Sequence, residues 1–284
     1  MARTAQSGDV MRRLVLVVPL VSVTLQAQAP DSSIADRRLF VQSDLYVLAG
    51  FTAATIAMFP LDRHMAAVVR DEDYITNRAL ERAASVFRFF GSPGPIIIGP
   101  AMYTIGRLAR IPRAAELGLH GTEAIGVGLG TAYVIKTLAG RQRPYVAADT
   151  NPHSFGLLRG LRGHDWSSFP SGHTTAAFAA AAAVTAETKD WWPSYHWMIG
   201  TTMYTGATLV GLSRIYNDAH WASDVVVGAA IGTFAGQKTV RFNRTHTGNR
   251  VDRFMLGTAS IRGASVALFA GDRHSVSLRG SYRW

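Results

Sequence analysis

Residues 167–183 read SSFPSGHTTAAFAAAAA. A proline, a serine, a glycine and a histidine stand directly before a run dominated by alanine. Alanine is the strongest helix former. Pro170 and Ser171 suit a helix start, Pro170 by its fixed φ and Ser171 by an oxygen that can cap free N–H groups. The pattern predicts a helix over 174–187. Its alanines bury little by themselves, but they let neighbouring helices pack close, in water or in lipid. The stretch therefore points to a helical bundle.

Working outward, five more helical stretches are expected at 45–60, 83–108, 117–139, 195–216 and 221–236. The second is broken by GSPGP at 91–95, which should kink or split it. Connections are short except for residues 140–166, dense in Gly, Pro and Arg. The fold class that follows is all-α, a six-helix bundle core. Asp62-Arg63-His64 and Arg70–Asp73 read as surface. After residue 240 comes a basic linker, then segments in which Val276, Leu278, Tyr282 and Trp284 alternate with period two, so a short C-terminal β-meander is expected.

At the other end, Met11-Arg12-Arg13 precedes the apolar run LVLVVPLVSVTL (14–25) and then QAQA (26–29). Charge, apolar run and small residues in that order make a secretory signal, with cleavage expected after Ala27 or Ala29. The expected organisation is a signal peptide at 1–29, a linker at 30–43, a helical domain at 44–240, and a basic linker with a β-rich tail at 241–284. Export follows, to the periplasm or the periplasmic face of the cell membrane.

Composition narrows the function. The 284 residues are 48% hydrophobic and 17% charged, with net charge +10 and no cysteine. Disulfides, thiolate catalysis and cysteine-based metal sites are excluded. The basic residues are dispersed rather than interleaved with aromatics, so no nucleic-acid partner is expected. A diffuse positive field suits an anionic substrate or an anionic membrane surface. The helices are rich in Ala, Gly and Thr, which favours a water-soluble or membrane-associated bundle over a fully integral one. Trp191, Trp192, Tyr195 and Trp197 form an aromatic group suited to a membrane interface or to core packing.

Three clusters carry chemistry. In the first, Lys136 is followed after six residues by Arg143-Pro144. The second is Pro170-Ser171-Gly172-His173. The third is Ser213-Arg214, then His220 after five residues and Asp224 after three more. His220 and Asp224 share a helix face. A carboxylate at Nδ1 would leave Nε2 with a lone pair and stabilise the charge the ring gains on attack. Gly172 lets a ligand approach a helix N-terminus, where free N–H groups and a partial positive charge favour an anion. His173 stands in the first turn, placed to hand a proton to a leaving group. Lys136, Arg143 and Arg214 would be costly together unless an anion joins them, and arginine forks match phosphate oxygens. Arg141 is a further candidate for that cradle. His120 and Glu123 are expected to form a structural pair, and His164-Asp165 a solvated loop that shapes access.

Each cluster alone is common; the three in this order resemble the signature of the type 2 phosphatidic acid phosphatase and vanadium haloperoxidase superfamily, with every position filled. The resemblance covers residues 117–236 in detail. It implies a fold built on that family's helical core. It also implies that His220 is a nucleophile forming a phosphohistidine, oriented by Asp224. His173 would be the acid for the leaving alcohol and then the base for water. Lys136, Arg143, Ser171, Gly172 and Arg214 would hold the phosphate. The expected activity is a metal-independent phosphatase acting on a phosphorylated lipid or a small phosphomonoester. No cofactor is expected, with vanadate an inhibitor. The alternatives are a vanadate-dependent haloperoxidase, in which vanadate is the cofactor, and a non-enzymatic helical envelope protein.

Overall fold

The computed structural model describes residues 38–72, 76–146, 151–246 and 249–256 in full, and the backbone of 264–270 and 276–282. The signal peptide expected at 1–29 lies outside the described residues. The helices are α1 (Gln42–Met58), α2 (Asp62–Val69), α3 (Arg78–Gly91), α4 (Gly94–Leu108), α5 (Pro112–Ala139), α6 (Gly172–Thr188), α7 (His196–Tyr216), α8 (Ala222–Thr245) and α9 (Arg250–Met255). The GSPGP stretch splits the expected second helix into α3 and α4.

The alanine helix α6 lies at the centre. Ala176, Ala179, Ala181, Ala182 and Ala183 are almost fully buried. It meets α8 more extensively than any other pair of elements meets. The cause is a glycine stripe on α8. A Cβ on Gly228, Gly232 or Gly236 would fall 2.6, 2.4 or 2.5 Å from the carbonyl oxygens of Ser171, Thr175 and Ala179. No side chain fits there, so the two backbones touch. This contact sets the first turn of α6 beside the first turn of α8, and Ser171 N–H donates to the Asp224 carbonyl at 3.1 Å. α5 and α7 flank the pair and run so that Lys136 and Arg214 also reach this end.

α8 continues to Thr245, nine residues beyond the expected end, and α9 occupies part of the expected basic linker. The polar sequence there is held by partners that spacing does not reveal. Lys238 pairs with Asp44 at 2.5 Å and Asn243 donates to Glu123 at 2.6 Å. His120 pairs with Glu187 at 2.6 Å and with Asp252 at 3.3 Å, not with Glu123. This network closes the end of the bundle away from Lys136 and Arg214.

Ala264–Ala270 pairs antiparallel with Val276–Tyr282, placing Leu268 opposite Leu278. Among the described residues this is a single two-stranded ladder; a meander needs a third strand, which is not among them. On the outer faces of α1, α4 and α7, Leu45, Ile56, Ile97, Ile105 and Trp197 are each more than half exposed. Among the described residues one helical run, Gln42–Val69, is long and apolar enough to cross a membrane.

Candidate active site

The helix ends converge with the loop 140–171. Ser171 is the N-cap of α6, and its Oγ accepts from Thr174 Oγ1 at 2.9 Å. The preceding carbonyls turn toward the basic residues. Lys136 Nζ donates to the carbonyl oxygens of Ser167, of Ser168 at 3.4 Å and of Pro170 at 2.8 Å. Arg143 donates from Nε to His164 O at 2.9 Å, from Nη1 to Ala219 O at 3.2 Å and from Nη2 to Ser167. Ser167 O is thus shared by Lys136 and Arg143.

Ser168 O is shared in turn by Lys136 and His220, whose Nδ1 lies 2.7 Å from it. A carbonyl can only accept, so Nδ1 carries the proton and Nε2 keeps a lone pair. Here the structure corrects the sequence reading. Asp224 Oδ2 is 3.7 Å from Nδ1, a charge contact beyond hydrogen-bond length. The Asp224 oxygens are taken by other donors. Oδ2 accepts from Ser168 Oγ at 2.5 Å and Trp221 N at 3.0 Å, and Oδ1 accepts from Arg141 at 2.5 Å. Asp224 therefore acts on His220 through charge and by fixing Ser168, whose carbonyl holds the ring.

Arg141 is likewise not part of the cradle. It is fully buried, behind Asp224. Nε and Nη2 donate to Pro152 O, Nη2 also to Asp62 Oδ2 at 2.8 Å, and Nη1 to Ser223 Oγ and Asp224. Its donors are spent on the protein. The rings of Phe59, Phe155 and Trp221 surround its guanidinium, with centroids 4.9 to 5.3 Å away. Asp62, read from sequence as surface, is 0% exposed and also accepts from Ser223 N and Oγ. Asp62, Ser168 and Ser223 are the supporting residues that the sequence did not disclose. The one available signal was an acid at the end of a long apolar helical run.

Arg214 differs from the other cations. It is 7% exposed, yet among the described residues its Nε and Nη1 have no partner. Burial, then the charges of Arg143 and Arg88, pull its guanidinium down to about 10. Lys136 is lowered to about 7 by burial and Arg143. Burial holds His220 near 3, with Lys136 and Arg143 adding to it against Asp224. His173 falls to about 4 through burial and the surrounding cations. Burial pushes Asp224 up, but the Arg141 charge keeps it below its ordinary value. Four cations, Lys136, Arg141, Arg143 and Arg214, thus face two carboxylates, Asp62 and Asp224. The surplus matches a dianion.

A Cβ on Gly172 would meet only Leu129, at 3.8 Å, so a ligand can approach the start of α6. His164 and Asp165 are exposed at the rim, as expected, and their backbone anchors Arg143. Beneath the site lies an apolar cavity of about 420 Å³, lined by Phe87, Phe90, Met102, Ile125, Ala177 and Val210 among others. Ala177 and Val210 are one helical turn from His173 and Arg214.

Residues 119–247 match the family model of the PAP2 superfamily. A lipid A 1-phosphatase from Porphyromonas gingivalis is 45% identical over 85 residues, 30% of this chain and 18% of that protein. An undecaprenyl-diphosphatase from Sulfolobus acidocaldarius is 29% identical over 137 residues, 47% of this chain and 63% of that protein. The chain thus spans less than two thirds of either relative. A transmembrane PAP2-type phosphatidylglycerolphosphate phosphatase from Bacillus subtilis shares the fold, with TM-score 0.53 and 19% identity over 74% of this chain and 99% of that one.

Proposed function

We propose that this chain, which belongs to the PAP2 superfamily through residues 119–247, is a phosphatase of phosphorylated lipids working through a phosphohistidine. The observation that carries the reading is a cation cluster holding Arg214, with two nitrogens unpartnered among the described residues, beside a neutral imidazole whose proton is fixed on Nδ1. A phosphate dianion would fill the unused donors of Arg214 and lie against Lys136, Arg143 and the start of α6. His220 Nε2 attacks phosphorus as the bond to the leaving oxygen breaks, and His173 protonates that oxygen. Burial and the surrounding cations favour the neutral form of His173, and a bound dianion would restore its proton by offsetting those cations. Water, deprotonated by His173, then displaces the phosphoryl group from His220. Charge stabilisation and positioning are the main needs of phosphoryl transfer. The basic side chains can supply both without a metal ion or other cofactor.

The apolar cavity favours a lipid over a soluble monoester, since it begins one turn from the cradle and its lining has a single polar side chain, Thr202. The exposed apolar faces of α1, α4 and α7 favour residence in or on a membrane. The signal-like order of charge, apolar run and small residues at 11–29 would put the site on the exported side. The test is hydrolysis of para-nitrophenyl phosphate and dispersed phosphatidic acid by the purified protein in excess EDTA. Turnover should survive EDTA, stop with vanadate and disappear in His220→Ala. Near-normal turnover by His220→Ala would end the phosphohistidine reading.

A further inference from the structure

Arg88 stands in the last turn of α3, and no step above uses it. Its side chain is exposed, and among the described residues no carboxylate pairs with it. Its position is set by its neighbours. One turn on, Gly91 packs on His173: a Cβ there would come within 2.9 Å of the His173 Cβ. Phe87 and Phe90, on either side of Arg88 in sequence, line the apolar cavity with Ala177 and Val210. The Arg88 charge is felt at both His173 and Arg214.

Arg88 therefore flanks the residue that serves the leaving group, at the junction of the polar cradle and the apolar cavity. A leaving group that is anionic at its first atoms and apolar beyond would satisfy both. A plain alcohol would leave Arg88 without a partner. We propose that Arg88 is a specificity-determining residue that binds a second phosphoryl group, the one in the leaving group, and so favours diphosphate esters of an apolar chain over monoesters. The proposal rests on the phosphatase reading. In the step, the His220 Nε2–P bond forms at the terminal phosphorus and the bridging P–O bond breaks. The bond pair stays on the bridging oxygen, which departs within a lipid monophosphate. Its charge spreads over that phosphoryl group, where Arg88 meets it. Water then releases orthophosphate and returns His220.

The test compares the full chain with Arg88→Gln and Arg88→Lys on farnesyl diphosphate and farnesyl monophosphate. A lost charge-assisted contact should lower diphosphate kcat/KM by about tenfold or more in Arg88→Gln. Monophosphate kcat/KM should change less than about twofold, and Arg88→Lys should keep most of the preference, because its charge remains. Equal losses on both substrates, or no loss on either, would overturn the proposal. Calorimetry with inorganic pyrophosphate and orthophosphate separates it from the phosphatase reading. If the wild-type protein turns over neither ester, weaker pyrophosphate binding alone in Arg88→Gln still supports Arg88. Equal affinities in variant and wild type would refute it, and a wild type that binds neither anion would refute both readings.

Discussion

Lys136 shows how a buried cation sets a pH profile. Burial and the Arg143 charge lower its ammonium to about 7, against three carbonyls that favour the charged form. The group is charged below that pH and loses its charge above it. Because kcat/KM reports the free enzyme, it should fall as pH rises through about 7. A bound phosphate dianion holds the proton on, so the limb in kcat should lie at higher pH. Lys136→Arg keeps its charge throughout and should move the kcat/KM limb to the alkaline side. A limb that stays in place in Lys136→Arg would show that another group titrates there. The same residue scale marks where sequence reading stops. That Lys136, Arg143, His173, Arg214, His220 and Asp224 belong together was legible from their types and spacings, and the helix ends bring them to one end of the bundle. Arg141 read as a candidate for the cradle and is not part of it, since two positions of spacing in a loop leave direction open. Its five donors are committed to Asp62, Asp224, Ser223 and Pro152 only once residues far apart in the chain have met.

At the scale of elements, the glycine stripe of α8 is the hinge of the architecture. Gly232→Ala would put a Cβ 2.4 Å from Thr175 O, and backbone on both sides leaves nothing flexible to yield. Overpacking of this kind costs roughly 1–3 kcal/mol. It would also push the first turn of α6 off that of α8, so activity should fall along with the melting temperature. Gly130→Ala on α5 is the contrast, because a Cβ there meets nothing within 4 Å. It should raise stability by up to about 1 kcal/mol through helix propensity and leave turnover alone. Thermal melts and rates of the two variants check the pair; a silent Gly232→Ala would mean the backbones are not in contact. Alanine and glycine content told that helices pack closely, but not which pair. Likewise the polar stretch 237–245 reads as a helix end until Asp44 and Glu123 arrive from other helices to pair with Lys238 and Asn243.

At the scale of the molecule, one polar end and one apolar body divide the work. In the proposed function the cradle would gather the phosphate, and the cavity of about 420 Å³ below it would take the chain attached to that phosphate. Sequence composition put a water-soluble or membrane-associated bundle ahead of a fully integral one, because alanine and glycine add little insertion energy. The outward residues Leu45, Ile56, Ile105 and Trp197 tip the balance toward a membrane, and their orientation is known only after folding. If the cavity holds the chain, each added methylene should contribute about 0.8 kcal/mol, or roughly fourfold in kcat/KM. Alkyl phosphates of increasing length, kept below their micellar concentrations, should show that rise and then a plateau when the cavity is full. Gly206 lines the cavity, and a Cβ there meets nothing within 4 Å. Gly206→Phe should therefore fill the space and flatten the rise, while the rate on the shortest phosphate stays near that of the wild type. A wild-type enzyme indifferent to chain length would instead place the chain outside the bundle, along its exposed apolar face, and the cavity would have no part in substrate choice.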